Sequence, residues 1–141
     1  MNDNNDVQVG VILVSHADFG AAALRTAELI LGPLSDCASI NVNVAEDVSG
    51  SVSRLTDAAQ RLDKGAGVLI LTDMFGGTPT NIALSLLGSH NVEVVTGLSL
   101  PMVLKVFTSR TTPLHELAKL ASEAGAKGIV VAGDMLRQKH K

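Results

Sequence analysis

Residues 67–81 constrain the fold of this chain more than any other part of its sequence. They begin with a continuous apolar run at 68–71, which is typical of a short strand buried on both faces. Asp73 follows where that strand should end, and the glycine pair at 76–77 allows a turn free of Cβ restrictions. The Thr-Pro pair at 78–79 is typical of an N-cap followed by proline at the first helical position. The stretch therefore predicts a carboxylate beside a helix N-terminus, which is a site for an anion such as phosphate.

A second reactive side chain follows the first predicted strand. An apolar run over 7–15 predicts a buried strand, and His16 comes at its end. Strands that alternate with helices indicate a mostly parallel sheet with right-handed crossovers. In a doubly wound sheet of order 2-1-3-4 the first and third strands are neighbours, and their carboxyl ends flank the switch point where ligands bind. We therefore expect His16 and Asp73 to meet.

The rest of the sequence completes an α/β fold with helices on both faces of the sheet. The predicted strands are 7–15, 39–44, 68–71, 91–96 and a short fifth edge strand at 128–131. The predicted helices are 19–31, one that ends at 62, 79–87, 100–108 and 113–124. We expect Asp18 to cap the first helix, Asp47 or Ser49 to cap the second, and Gly125 to close the last.

Composition narrows the class of protein. The 141 residues suit one domain, and we expect a polar tail at 1–6, a domain at 7–132 and a polar, basic tail at 133–141. The net charge of −3 gives no electrostatic footprint for nucleic acid. Cys37 is the only cysteine, which excludes an intramolecular disulfide and a thiolate metal cluster. The polar start is unlike a signal peptide and no apolar run approaches a membrane span, so we expect a cytoplasmic protein. The histidines at 90, 115 and 140 lack the spacing of metal ligands, so we expect no metal site.

The expected pairing of His16 with Asp73 suits nucleophilic chemistry. A neutral imidazole is a competent nucleophile near pH 7. A carboxylate that holds one ring nitrogen as N–H leaves the lone pair of the other nitrogen facing the reaction. If the electrophile is a phosphoryl group, the amides around Gly76, Gly77 and Thr78, with the Thr78 hydroxyl, provide donors for its oxygens. A histidine without such a carboxylate would be an ordinary residue at a strand end.

These residues resemble the IIA component of the mannose-type sugar phosphotransferase system. The resemblance rests on His16 and on Thr-Asp-Met-Phe-Gly-Gly-Thr-Pro-Thr-Asn at 72–81, and it covers nearly the whole chain. It implies that the phosphocarrier protein HPr phosphorylates His16, which hands the phosphate to a IIB component. It implies that Asp73 orients the histidine and that Thr78 contacts the phosphate. It further implies a homodimer that exchanges the strand at 128–131, and it calls for no cofactor.

Other functions stay open beside this resemblance. Ala17 stands where the family often has glycine, which bears on the backbone geometry around the phosphate. No IIB domain follows in the sequence, so the acceptor is expected to be a separate protein, or the phosphorylation state of His16 controls a regulatory target instead. A flavodoxin-like domain would use the loop at 76–77 for the phosphate of a retained nucleotide or flavin. The phosphotransferase subunit of dihydroxyacetone kinase has a similar first strand but lacks the Gly-Gly-Thr-Pro signature.

Overall fold

Strands and helices alternate through the first two thirds of the chain. The structure is a computed structural model that describes residues 7–43, 45 and 47–139. The strands are β1 (Gly10–His16), β2 (Cys37–Val42), β3 (Val68–Thr72) and β4 (Val92–Thr96). The helices are α1 (Phe19–Leu31), α2 (Val48–Leu62), α3 (Thr78–Leu84), α4 (Leu100–Phe107), α5 (Leu114–Lys127) and α6 (Ala132–Lys139). Among these described residues, no helix combines the length and the apolar character needed to traverse a bilayer.

The four strands form one parallel sheet in the order β2-β1-β3-β4, so the predicted order 2-1-3-4 is confirmed. In the register between β1 and β3, Val14 lies opposite Thr72. Because β3 ends at Thr72 while β1 continues to His16, the residue after β3 lies beside the end of β1. This register is what brings His16 and Asp73 to the same edge of the sheet.

Alternate side chains of β1 enter two separate hydrophobic cores, as the pleat of a strand requires. Val11 and Leu13 pack with helices α1, α4 and α5 on one face of the sheet. Ile12 and Val14 pack with α2 and α3 on the other face. All four side chains are fully buried. Helices therefore cover both faces, as predicted, and the central strands are buried on both sides.

The fifth strand predicted at 128–131 is not formed in this single copy of the chain. Gly128 follows the end of α5, and the next three residues form no strand before α6 begins. Ile129 and Val131 are 83% and 66% exposed. The β-branched run favours a strand by local preference. A strand also needs a neighbour for its backbone hydrogen bonds, and none of the described strands of this copy pairs with the segment.

Helix α5 extends beyond its predicted end and α6 was not predicted, whereas α1 coincides with the predicted 19–31. Gly125 was expected to close α5, yet the helix continues to Lys127. A Cβ atom on Gly125 would lie 3.0 Å from Cε of Met102, so glycine here serves the close packing of α5 on α4. α6 occupies most of the expected C-terminal tail. Residues 1–6 and 140–141 lie outside the described residues.

Arg110 joins three segments at the end of the sheet opposite to His16, and nothing in the sequence pattern indicated this. Its side chain is buried and donates hydrogen bonds to the carbonyl oxygens of Val9 (2.7 Å), Ser35 (3.0 Å) and Asp36 (3.0 Å). Its guanidinium carbon lies 5.0 Å from the centre of the Phe107 ring. Burial lowers the pKa of this guanidinium, and the nearby Cys37 and Asp36 act in the opposite direction. Arg110 is therefore a structural residue, distant from the carboxyl edge.

Candidate active site

His16 and Asp73 form a hydrogen-bonded pair at the carboxyl edge of the sheet, where β1 and β3 end. The ring nitrogen Nδ1 of His16 lies 2.7 Å from Oδ2 of Asp73. The backbone N–H of His16 donates to the same oxygen at 2.9 Å. One carboxylate oxygen therefore fixes both the main chain and the ring of the histidine, and the two residues meet as their predicted positions at the strand ends required.

The ionisation of Asp73 decides which nitrogen of His16 carries hydrogen. Burial raises the pKa of Asp73, but the hydrogen bonds from the amide and ring of His16, together with the charge of that ring, lower it by more. The net pKa is below its ordinary value, so the carboxylate is ionised at neutral pH and accepts hydrogen bonds only. Nδ1 of His16 must then be the donor. In the neutral ring this leaves Nε2 with the free lone pair.

The His16 ring is partly exposed, and one edge of it borders the loop after β3. The side chain of His16 is 45% exposed and that of Asp73 only 12%. Gly77 lies against the ring edge, because a Cβ atom on it would lie 3.3 Å from Cε1 and 3.5 Å from Nε2. A Cβ atom on Gly76 would have no neighbour within 4 Å. Of the two glycines, only Gly77 therefore borders the nitrogen that has the lone pair.

Helix α3 begins one residue earlier than predicted, and Gly77 rather than Thr78 is its N-cap. The carbonyl of Gly77 accepts the first helical hydrogen bond, from the amide of Asn81 at 3.1 Å. Gly76 and Gly77 have φ angles of +85° and +83°, which glycine adopts without strain. Thr78 is exposed as the first helical residue, where amide groups have no partner inside the helix. The predicted phosphate-binding residues are thus consecutive in one turn beside His16.

Ser15, and not the predicted Asp18, caps the start of α1. The hydroxyl of Ser15 accepts a hydrogen bond from the amide of Gly20 at 2.7 Å. Asp18 makes no capping bond with its side chain, and its φ and ψ of −99° and 20° lie outside the extended conformation of a typical N-cap. Ala17 has a φ of +48°, a left-handed conformation that glycine favours, and its amide donates to Val42 at 3.0 Å. The backbone geometry expected from a glycine is therefore retained with alanine.

Two buried threonines brace the loop that follows β3, and no sequence pattern indicated their role. The hydroxyl oxygens of Thr72 and Thr80 lie 2.8 Å apart, and that of Thr80 lies 2.5 Å from the carbonyl oxygen of Met74. Their residues are 0% and 1% exposed. Threonine is common in strands and at helix starts, so only the spatial contact distinguishes these two.

A second histidine–carboxylate pair lies at the surface, away from this site. Nδ1 of His115, at the start of α5, lies 3.1 Å from Oε2 of Glu93 on β4. Its side chain is 72% exposed, and no glycine-rich turn adjoins it in the described part of the chain. Within the same described residues, no three His, Cys, Asp or Glu side chains converge as metal ligands would. The pair at His115 serves as a comparison for the one at His16.

Comparison with known proteins places this chain in a family. Residues 10–135 match the family EIIA-man, described as PTS system fructose IIA component. The chain is 27% identical over 124 residues to the PTS system mannose-specific EIIAB component of Escherichia coli strain K12. That alignment covers 86% of this chain but only 38% of the other protein, so the chain spans less than half the length of this relative.

Two further similarities extend to proteins of comparable length. The PTS system sorbose-specific EIIA component of Lacticaseibacillus casei is 34% identical over 97 residues, which cover 68% of this chain and 70% of that protein. The structure of the mannose/sorbose specific IIA subunit from Enterococcus faecalis superimposes with a TM-score of 0.80 at 28% identity, over 88% of this chain and 94% of that one. The chain therefore belongs to the mannose-type EIIA family of the sugar phosphotransferase system.

Proposed function

We propose that this chain is a phosphohistidine carrier, in which His16 accepts a phosphoryl group from HPr and passes it to a IIB component. The observation that carries the proposal is the 2.7 Å contact between Nδ1 of His16 and the ionised Asp73. It leaves Nε2 as the nucleophilic atom of a half-exposed ring that a partner protein can reach. Membership of the EIIA family supports the same chemistry.

The transfer step forms one bond and breaks one. The lone pair of Nε2 attacks phosphorus in line with its bond to a nitrogen of the donor histidine, and that bond breaks with its electron pair returning to the donor ring. The hydrogen on Nδ1 of His16 stays in place, and Asp73 balances the positive charge that develops on the ring. Delivery to the acceptor is the same exchange in reverse. Two imidazoles suffice for it, so the proposal includes neither a metal nor a cofactor.

We assign the phosphoryl oxygens to the turn at Gly76, Gly77 and Thr78. Gly77 supports this assignment, because the 3.5 Å between its missing Cβ position and Nε2 of His16 leaves room beside the reacting nitrogen. Backbone amides at such a turn attract anions without a side-chain cation. For Gly76 and Thr78 the support is their position in the same turn.

The direct test is phosphorylation from phosphoenolpyruvate with enzyme I and HPr, followed on a phosphate-retarding gel. The wild type should acquire an acid-labile, base-stable phosphate, and His16→Ala should acquire none. His115→Ala is the matched control, because His115 also contacts a carboxylate, and it should be phosphorylated like the wild type. Phosphate on His16→Ala, or loss of phosphate in His115→Ala, would contradict the assignment.

The role of Asp73 and the identity of the acceptor follow in the same assay. Asp73→Asn should slow the phosphorylation of His16 at least about tenfold, because the amide does not fix the ring nitrogen as a carboxylate does. A rate within twofold of the wild type would remove Asp73 from the mechanism. Mixing the phosphorylated chain with a IIB component should then transfer the phosphate. Failure of transfer with every cognate IIB component would leave regulation of a partner protein as the function.

We also propose a homodimer in which residues 128–131 of one copy pair with β4 of the other. β4 is an edge strand, so one row of its backbone groups has no strand neighbour among the described residues. Its side chains adjoin a groove of about 350 Å³, whose lining includes Phe75, Leu84, Val94 and Val95. The exposed apolar run at 129–131 lacks a partner strand and matches an edge of this kind.

Sedimentation velocity at micromolar concentration tests this dimer. The wild type should sediment as a dimer, and Val130→Asp should sediment as a monomer because a charge is placed in the exchanged segment. Leu29→Asp is the control, since Leu29 is also an exposed apolar residue but lies on α1. This variant should remain dimeric. A monomeric wild type, or dimers of Val130→Asp, would refute the exchange.

A further inference from the structure

We propose that Thr80, together with Thr72, is a positioning residue that holds Asp73 in register with His16. The inference rests on the proposed carrier function, because it assigns a role in preparing the same histidine for transfer. Thr72 is the last residue of β3 and directly precedes Asp73, and Thr80 lies in the first turn of α3. The two threonines therefore stand on either side of the loop that contains Asp73 and Gly77.

The carbonyl acceptor at Met74 fixes the direction of both bonds. A carbonyl oxygen accepts only, so the single hydroxyl hydrogen of Thr80 is donated to Met74, 2.5 Å away. Thr80 then has no hydrogen left for Thr72, and the hydroxyl of Thr72 must donate to Thr80 across 2.8 Å. The result is a directed chain of two bonds from the end of the strand, through the helix, to the loop.

Burial makes this chain of bonds costly to interrupt. Neither threonine is accessible to water, so a lost hydroxyl would leave a buried polar group without a partner. The carbonyl of Met74 is the first one beyond Asp73 along the chain. Its attachment to Thr80 limits the backbone movement of the residue that carries the carboxylate.

The carboxylate itself has few other anchors. Oδ2 of Asp73 accepts both hydrogen bonds from His16, whereas Oδ1 is buried without a partner in the described part of the structure. The two hydrogen bonds that hold Oδ2 thus come from the residue that the side chain must orient. Its position relative to the ring has to come from the backbone on either side. The bonds between Thr72, Thr80 and Met74 supply that restraint.

Thr80→Val tests the inference because valine keeps the shape of threonine and removes the hydroxyl. Two quantities are measured: the rate of His16 phosphorylation against HPr concentration, and the NMR resonance of the hydrogen on Nδ1 of His16 in the unphosphorylated protein. We expect the maximal rate to fall about tenfold with the KM for HPr within twofold, since misplacement of a reacting group costs rate rather than docking. We also expect the Nδ1 hydrogen resonance to broaden or vanish.

Two further variants separate the hydroxyl bond from general packing. Thr80→Ser retains the hydroxyl and should restore both the rate and the resonance to near wild type. Thr56→Val is the matched control, because the hydroxyl of Thr56 also donates to a backbone carbonyl, that of Val52 at 2.9 Å on α2. It should leave both quantities unchanged. If Thr80→Val behaves like the wild type, or if Thr80→Ser is equally impaired, the inference is wrong.

If Thr80→Val does not fold, Thr72→Val decides the matter. It removes the link from β3 while leaving the bond between Thr80 and Met74, and it should impair the rate and the resonance in the same way. A folded Thr72→Val with wild-type behaviour would overturn the inference. The Nδ1 hydrogen resonance is measured without any donor protein, so it is independent of phosphorylation. If the carrier function is wrong, the wild type is not phosphorylated. If the positioning role is wrong, the resonance is unchanged in the variants.

Discussion

The amide and the ring of His16 share a single acceptor, Oδ2 of Asp73, at 2.9 and 2.7 Å. A carboxylate placed in this way sets the position of the backbone at the end of β1 and the rotation of the imidazole at the same time. It also selects the tautomer, because an ionised carboxylate cannot donate. The two residues are 57 positions apart in the sequence, and the parallel pairing of β1 with β3 makes them neighbours.

The first prediction concerns stability in acid. Burial raises the pKa of Asp73, but the hydrogen bonds from His16 lower it by more. The Asp73 carboxylate therefore binds a proton less readily in the folded chain than in the unfolded chain, where its pKa has the ordinary value of 3.8. The stabilisation is complete above that ordinary value and is lost as the pH falls through the lower pKa of the folded state. In urea titrations, the free energy of unfolding of the wild type should therefore exceed that of Asp73→Asn by a margin that shrinks as the pH falls below about 4. A margin independent of pH would contradict the assignment.

The second prediction separates backbone strain from crowding at the reacting nitrogen. Gly77→Ala should lose about 1–2 kcal/mol of unfolding free energy, because alanine is strained at a φ of +83°. Its Cβ atom would also press on the His16 ring, so the phosphorylation rate should fall as well. Gly88→Ala is the matched control, since Gly88 has a φ of +89° but open space around it. It should be destabilised similarly and phosphorylated normally. Equal rates in both variants would show that Gly77 does not border the reaction.

The pairing of His16 with Asp73 could be predicted from the sequence, for a physical reason. Buried apolar runs mark the parallel strands, and their alternation with helices fixes how they connect, so the ends of the first and third strands are adjacent before any side chain is placed. The turn at Gly76 and Gly77 could likewise be predicted, because two successive glycines indicate a backbone with positive φ angles. The topology and the residues at its switch point therefore follow from the pattern of strands and helices along the chain.

Contacts that depend on tertiary packing could not be predicted from the sequence. The run at 129–131 has strand propensity, yet the described part of this copy offers it no pairing partner, and propensity carries no information about partners. Gly125 looked like a helix end, but its lack of a side chain serves the approach of Met102. The cap of α1 is Ser15 and not Asp18. It could not be predicted, because a serine within a strand gives no capping signal. The role of Thr80 could not be predicted either, because its contacts with Thr72 and Met74 form only when the loop is folded.

The third prediction concerns Arg110, which should matter for stability and not for transfer. Arg110→Lys keeps the charge but cannot donate to three carbonyls with one planar group, and it leaves buried acceptors without partners. We expect a loss of about 3 kcal/mol of unfolding free energy in urea, with the phosphorylation rate at 25 °C within twofold of the wild type. Arg25→Lys on the exposed face of α1 is the control, and its unfolding free energy should change by less than about 0.5 kcal/mol. A strong loss of rate in folded Arg110→Lys would mean that the two ends of the sheet are coupled.

The last prediction concerns Ala17, whose φ of +48° is a conformation that glycine adopts at lower cost. Ala17→Gly should therefore stabilise the protein by about 0.5–1 kcal/mol, the strain relieved exceeding the added freedom of the unfolded chain. Ala22→Gly inside α1 should do the reverse and cost about 1 kcal/mol, because the helix gains nothing from glycine. Thermal and urea denaturation of both variants give the comparison. The rate of His16 phosphorylation should stay within twofold in Ala17→Gly. The backbone N–H at this position donates a hydrogen bond to the carbonyl of Val42 with either residue, so the backbone keeps the same path. Destabilisation of Ala17→Gly as large as that of Ala22→Gly would show that the turn after His16 carries no strain.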